Sequence, residues 1–254
     1  MKKVLSTYNE SPNKPVKSRL NKYLSDAGFC SRREADQLIA ARRVRIDGRL
    51  ALLGEKVASG QTVMVDDKEV KNSEPFIIIA FNKPRGIVCT TAKKEPNNII
   101  DFIKFDHKIF PVGRLDKESA GLLLLTNDGE LANKILKARN MHEKEYLVDV
   151  NKPITEEFIK KMSEGVHILD TVTRPCKVVK KGEYRFGIVL TQGLNRQIRR
   201  MCEYFGYKVK MLKRIRIMNI SLGRLREGTW RNLTEQEIAG LRKMTGARKE
   251  KTYE

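Results

Sequence analysis

Apolar positions along the chain fall into two regimes. Up to about residue 75 they are sparse and periodic; from Phe76 onward they come in continuous runs. In the first regime Leu20, Tyr23, Leu24 and Ala27 recur at helical spacing, with Ser18 placed to cap that helix and Gly28 to end it. Ser31-Arg32-Arg33-Glu34 has the capping-box pattern: a hydroxyl starts a helix and a carboxylate three residues on reaches back. Ala35, Leu38 and Ile39 supply that helix's apolar face. Arg43-Val44-Arg45-Ile46 alternates as a strand before an Asp47-Gly48 turn, and Thr62-Val63-Met64-Val65 is a second strand before Asp66-Asp67. Helix, helix, then small strands over 18–75 predicts a compact unit. The polar segment 1–17, with Pro12 and Pro15, is expected to be a disordered extension.

The second regime opens with Phe76-Ile77-Ile78-Ile79-Ala80-Phe81. This strand-length apolar run predicts a sheet buried on both faces and puts a domain boundary near 75. Strands are expected at 87–91 and 121–126, then an Asn127-Asp128-Gly129 turn into a helix over 129–138. A strand at 144–150, a helix at 155–164 and strands at 176–180 and 184–191 follow. A helix over 195–205 stops at Gly206, and strands are expected at 207–212 and 214–222. Thr234 with Glu237 is another capping box and opens a last helix. Strands and helices do not alternate regularly, which disfavours a doubly wound fold. The expected class is α+β: a small N-terminal domain at 18–75, then a larger domain at 76–244 with a mixed, mainly antiparallel sheet and flanking helices. Residues 245–254 read as a short charged tail.

Charge changes the picture. The 51 basic and 31 acidic side chains leave a formal net charge of +20. A polyanion is therefore the first partner to consider, either nucleic acid or an anionic membrane surface. No apolar run approaches the roughly 20 residues that span a bilayer, and the N-terminus has no apolar stretch of signal-peptide type. The four cysteines, Cys30, Cys89, Cys176 and Cys202, are scattered, as expected of thiols in a reducing cytoplasm. His107, His142 and His167 are equally dispersed, so no metal site is indicated. No glycine-rich phosphate loop is present, and no cofactor is indicated.

Four segments carry candidate chemistry. Asp116 sits in Gly113-Arg114-Leu115-Asp116-Lys117, ahead of the apolar run 122–125. A carboxylate flanked by cations is favoured in its charged form, which suits a nucleophile or an electrostatic stabiliser; a surface aspartate in an ion pair is the plainer reading. Between 194 and 226 ten cations face a single acid, Glu203, a single-sign block better matched to a polyanion than to a solvated face. Tyr146 shares a strand face with Lys144 and Val148, either as a core ring with a wet hydroxyl or as a stacking surface for an extruded base. Asn82-Lys83-Pro84-Arg85-Gly86 reads as a turn or as a contact. In the N-terminal unit Arg32, Arg33, Arg42, Arg43, Arg45 and Arg49 cluster as surface arginines or as a phosphate-binding face. Residues alone thus predict a basic, cytoplasmic, two-domain RNA-binding protein with one suspicious aspartate.

Taken in order, Asn82-Lys83-Pro84, Gly113-Arg114-Leu115-Asp116, 119–126, Lys144-Glu145-Tyr146-Leu147-Val148 and Asn195-Arg196-Gln197-Ile198-Arg199-Arg200-Met201 resemble the motifs of bacterial ribosomal RNA pseudouridine synthases, the group of the small-subunit synthase A and its large-subunit relatives. Met141-His142-Glu143-Lys144-Glu145-Tyr146 and 194–202 look closest to a large-subunit member. Residues 18–75 resemble the small RNA-binding domain named for ribosomal protein S-four.

The resemblance implies an isomerase without cofactor or metal that detaches uracil from its ribose, rotates it and rejoins it through carbon five. It implies Asp116 as catalytic aspartate, Tyr146 stacking on the flipped uracil, and Arg199 pairing with Asp116, since a buried nucleophile needs its charge balanced. Arg114, Leu115, Lys117, Arg196, Gln197, Ile198 and Lys83 would line the RNA path, with Arg32, Arg33, Arg43 and Arg49 as contacts from the N-terminal domain. The implied partner is ribosomal RNA, large-subunit RNA favoured, with transfer RNA a second candidate; no membrane is involved and a monomer is the default. The alternative is a non-catalytic RNA-binding ribosome-assembly factor, which would not need Asp116, Tyr146 and Arg199 together. A helix-turn-helix DNA binder fits less well, because strands follow the helix pair.

Overall fold

The computed structural model describes residues 17–71, 75–92 and 94–246, so the expected extension, apart from Lys17, and most of the charged tail lie outside the described residues. Contacts divide the chain after Pro75 into two units.

The first unit runs β1 (Lys17–Arg19), α1 (Leu20–Asp26), α2 (Arg32–Ala40), β2 (Val44–Ile46), β3 (Arg49–Leu50), β4 (Lys56–Ala58), β5 (Val63–Val65) and β6 (Lys68–Glu69). The capping box at Ser31 forms: Ser31 Oγ accepts from the Glu34 amide at 3.2 Å and Glu34 Oε2 accepts from the Ser31 amide at 2.7 Å. Ser18 does not cap α1. It lies in β1 opposite Val57, and the first helical amide, Leu20 N, donates instead to Glu55 O at 2.9 Å. The order β3-β2-β5-β6 is antiparallel. Its turns place Asp47 and Gly48, then Asp66 and Asp67, at positive φ, the geometry whose twist matches a two-residue hairpin. Leu20, Leu24, Ala35 and Ile39 bury against Val44, Ile46, Val63 and Val65 to form the core.

The second unit continues with β7 (Ile78–Lys83), α3 (Ile99–Ile103), β8 (Phe110–Pro111), β9 (Ala120–Thr126), α4 (Gly129–Leu136), β10 (Lys144–Val150), α5 (Glu156–Glu164), β11 (His167–Ile168), β12 (Thr171–Val172), β13 (Lys177–Lys180), β14 (Arg185–Leu190), α6 (Gln197–Tyr204), β15 (Val209–Ile217), β16 (Ile220–Ser221), β17 (Trp230–Asn232) and α7 (Glu235–Thr245). The main sheet has the order β13-β14-β10-β15-β9-β7-β17, with β16 on β15 and β8 on β9. Only β15 and β9 pair in parallel among the described strands. The sheet is thus mixed and mainly antiparallel, and with its helices and the first unit gives an α+β chain.

The apolar runs are explained by burial on both faces. Leu122 and Leu124 of β9 join Ile78 and Ala80 under α4 and α7. Their neighbours Leu123 and Leu125 join Ile79 and Phe81 on the opposite face, beside α3. A third core packs α5 and α6 on β10, β14 and β15.

Two further expectations differ from the structure. Residues 87–91 form no strand, only a bridge from Val88 to Asn98; the segment is instead tied down as a loop under Asp116. The two strands expected over 207–222 are one long strand, β15, which turns back at Met218, at φ 51°, into the short β16.

Candidate active site

The segment carrying Asp116 leads into β9 and is held from beneath by the chain just after β7. Gly86 N donates to Lys117 O at 2.8 Å and Ser119 N to Asp116 O at 3.0 Å. Leu115 N donates to Cys89 Sγ at 3.4 Å, and Arg85 pairs with Glu118 at 3.1 Å. Lys83 belongs to this scaffold and not to the RNA path. It is the last residue of a strand buried along its whole length, and its Nζ donates to Pro84 O and Ile87 O, both at 2.8 Å, and to Lys117 O at 3.5 Å. Burial lowers its pKa, and the ring of carbonyl oxygens satisfies an ammonium that no solvent reaches.

Asp116, Tyr146 and Arg199 line one cleft of about 380 Å³. Asp116 keeps 37% of its side chain exposed, and both Arg196 Nη1 and Arg199 Nε stand 3.9 Å from its Oδ2. The expected pairing of Arg199 with Asp116 is present at ion-pair range and is joined by Arg196; the expected burial of the aspartate is corrected. The carboxylate is half open, and two guanidinium groups face it at ion-pair range beyond hydrogen-bonding distance. Arg199, 11% exposed, donates to Glu118 O at 3.4 Å and Val209 O at 3.5 Å, while its Nε has no hydrogen-bond partner. Burial, then Arg196, holds its pKa below the ordinary arginine value. Arg196 itself sits at φ 50° as the first residue before α6, which turns its side chain to the cleft rim.

Register builds the cleft floor. Tyr146 on β10 lies opposite Ile188 on β14 and Arg214 on β15, so the tyrosine and Arg214 stand side by side on one face. A bulge between Glu145 and Tyr146 separates the neighbouring pair, in which Arg216 is held by Glu143 and Glu145 at 2.9 and 2.8 Å. Lys144 also lines the cleft; burial, then Arg214, pushes its pKa down from 10.5 to about 8.

The folded state therefore binds the Lys144 proton more weakly than the unfolded chain. Its ammonium opposes folding below about pH 8, and that cost fades as pH rises from about 8 toward 10.5. Lys144→Met is expected to raise stability at pH 7 by up to about 3 kcal/mol, with the gain shrinking toward pH 10. Thermal melts of both proteins across that range test it; a gain independent of pH would refute it.

Other sequence-predicted residues divide. Arg114 and Arg196 are exposed at the cleft, and Lys117 is exposed beside it. Leu115 and Ile198 are core residues, 7% and 4% exposed, and Gln197, also buried, accepts from Leu194 N at 3.1 Å; these three shape the wall more than they meet a ligand. The ten-cation block is not one face. Arg214 is buried and Arg216 is neutralised by β10, which sequence distance concealed. In the first unit Arg32 and Arg33 are exposed at the start of α2, Arg43 pairs with Asp66 and Arg49 with Glu55. Lys144, Arg214 and Gln192 were missed as cleft residues, because their convergence depends on strand order. Among the described residues no group of three or more His, Cys, Asp or Glu side chains is placed to hold a metal ion, and no helix is long and apolar enough to cross a membrane.

Comparison with known proteins gives a consistent picture. The profile of the RNA pseudouridylate synthase family matches residues 77–204 and that of the S4 domain matches 18–73. The dual-specificity RNA pseudouridine synthase RluF of Escherichia coli K12 is 55% identical over 228 residues, covering 89% of this chain and 79% of that protein. The ribosomal large subunit pseudouridine synthase B of Bacillus subtilis is 34% identical, covering 88% of this chain and 95% of that one. A pseudouridylate synthase crystal structure, 30% identical, superposes with a TM-score of 0.65 over 88% of this chain and 99% of its own.

Proposed function

We propose that this chain, which belongs to the RNA pseudouridine synthase family, converts uridine to pseudouridine at a defined position of ribosomal RNA, in a hairpin of the large-subunit RNA. The observation that carries this reading is the convergence of Asp116, Tyr146 and Arg199 on one cleft. A non-catalytic binder needs a basic surface; it has no use for a half-open carboxylate faced by two guanidinium groups in a cleft that a tyrosine also lines.

In this reading the target uridine leaves its helix, because an enzyme acting on a base must first extrude it. The Tyr146 ring receives the base. The Asp116 carboxylate faces the sugar as the bond from nitrogen one to the ribose breaks. The uracil turns, carbon five bonds to the same sugar carbon, the carbon-five proton departs to solvent, and nitrogen one, which kept the electron pair of the broken bond, takes up a proton. Arg199 and Arg196 hold the carboxylate in place, and Arg114, Lys117 and Arg196 meet backbone phosphates. Arg32 and Arg33, on the tethered S4 domain, add a second contact that raises the effective RNA concentration. Large-subunit RNA is the favoured substrate, in line with the name of the Bacillus subtilis relative, and transfer RNA is the second candidate. The protein works in the cytoplasm, and one chain holds the complete cleft.

Large-subunit RNA transcribed with uridine tritiated at carbon five supplies the test. Wild-type protein is expected to release tritium stoichiometric with one site. Tight binding to large-subunit, small-subunit and transfer RNA without release from any of them would leave the binder and remove the enzyme.

Arg199→Ala separates the roles further. Asp116 is open enough to hydrate when unpaired, and Arg199 brings an unsatisfied buried Nε. The variant is expected to melt close to the parent while the single-turnover rate falls about 10²-fold. An unchanged rate would remove Arg199 from the site.

A further inference from the structure

The floor of the cleft holds a hydrogen-bond donor that the mechanism above does not use. Arg214 is 3% exposed. Its Nε donates to Leu122 O at 2.7 Å, but its Nη2 is buried with no hydrogen-bond partner among the described residues. Leaving a charged donor orphaned costs roughly 1–3 kcal/mol or more, so the position calls for a ligand. A guanidinium has donors only, so the ligand must present an acceptor. The acidic side chains nearby are engaged elsewhere: Glu143 and Glu145 hold Arg216, and Asp116 faces Arg196 and Arg199.

We propose that Arg214 is a base-recognition residue, its Nη2 donating to a carbonyl oxygen of the flipped uracil stacked on Tyr146. The inference rests on the pseudouridine synthase reading. Two observations favour the base over a backbone phosphate. Arg214 lies directly opposite Tyr146 in the strand register, within reach of a base on that ring, and it is buried where a phosphate of an RNA chain does not descend. The exposed Arg114 and Arg196 at the cleft serve phosphates better. Chemistry gives the contact a second use. When the bond to the ribose breaks, its electrons remain on the uracil and delocalise onto both carbonyl oxygens. A fixed cation there stabilises charge as it develops, and Lys144 on the same face adds to that field.

The test uses RNA whose target residue is uridine, 2-thiouridine or 4-thiouridine, each tritiated at carbon five, in single-turnover release assays. Sulfur accepts hydrogen bonds poorly, so one of the two thio substitutions is expected to slow the wild type about tenfold, and which one identifies the carbonyl. Arg214→Gln is expected to slow the uridine substrate about 10²-fold and to reduce that thio effect to within about twofold, because the contact is already gone. If losing the Leu122 bond unfolds that variant, Arg214→Lys, which keeps a cation but not the fork, is put through the same comparison. No thio penalty at either carbonyl in the wild type overturns the assignment without any variant. So does a thio penalty undiminished in the variant, or a loss that appears only as weaker RNA binding with a salt slope lowered by about one, which would mark a phosphate contact. Failure of the wild type to release tritium from the plain uridine substrate would instead sink the functional reading itself.

Discussion

Asp116→Asn is expected to lower tritium release from carbon-five-labelled RNA by about 10⁴-fold or more, with RNA affinity within a few fold of the parent and an unchanged melting temperature. The three parts follow from one geometry. The substitution keeps the shape of the side chain and removes its charge, so whatever the cleft does through that charge is lost. The fold does not depend on it, because the carboxylate is 37% exposed and its two guanidinium neighbours stand 3.9 Å away, too far for strong hydrogen bonds. RNA affinity does not depend on it either. Asp116 is a single negative charge among Arg114, Arg196, Arg199 and Arg214, and removing it relieves a repulsion toward phosphate. Binding is therefore expected to hold or tighten slightly. Filter binding and single-turnover release on the same RNA measure both quantities, and equal losses in the two would show that Asp116 serves binding and is not catalytic.

How much of this was legible beforehand depended on how local each cause is. The capping boxes at Ser31 and Thr234 formed as written, because each is settled within four residues. The double-sided burial of β7 and β9 was legible because an uninterrupted apolar strand has nowhere else to go. Lys83 reads as an RNA contact because it stands in a segment that the sequence presents as a turn or a contact, yet it is fully buried. Nothing local says that carbonyls from Pro84, Ile87 and Lys117 would surround it. Residues 87–91 alternate like a strand, yet they serve as a brace beneath Leu115. The basic block at 194–226 looks uniform in the sequence because the partners of Arg216, Glu143 and Glu145, come from the start of β10 and the residue before it, some seventy residues earlier. Arg214 was hidden for the same reason: its place beside Tyr146 is a property of strand order, which no spacing in the chain encodes.

That strand order hangs on one glycine, and Gly121→Ala is expected to be the most damaging single-methyl change in the catalytic unit. Gly121 sits at φ +103°, and a Cβ built on it would lie 2.2 Å from the Arg214 carbonyl oxygen and 2.7 Å from the Arg214 nitrogen. Both obstacles are backbone, so no side-chain rotation relieves the clash. The pairing there is the parallel contact of β9 with β15, Gly121 against Arg214; to admit the methyl the two strands must separate where the sheet is buried on both faces. The expected cost is about 4 kcal/mol or more, a fall in melting temperature of roughly 10 °C for a unit of this size. Gly86→Ala is the internal control. Gly86 also has a positive φ, +88°, but open space around its would-be Cβ, so it carries only the left-handed penalty of about 1–2 kcal/mol. Equal melting temperatures for the two variants would mean that β9 and β15 part easily, and the approach at Gly121 would then not be what fixes the cleft. If Gly121→Ala retains a folded fraction, its release rate is expected to fall further than its folded fraction, because the shift moves Arg214 away from Tyr146. An activity loss that merely tracks the folded fraction would separate the junction from the chemistry.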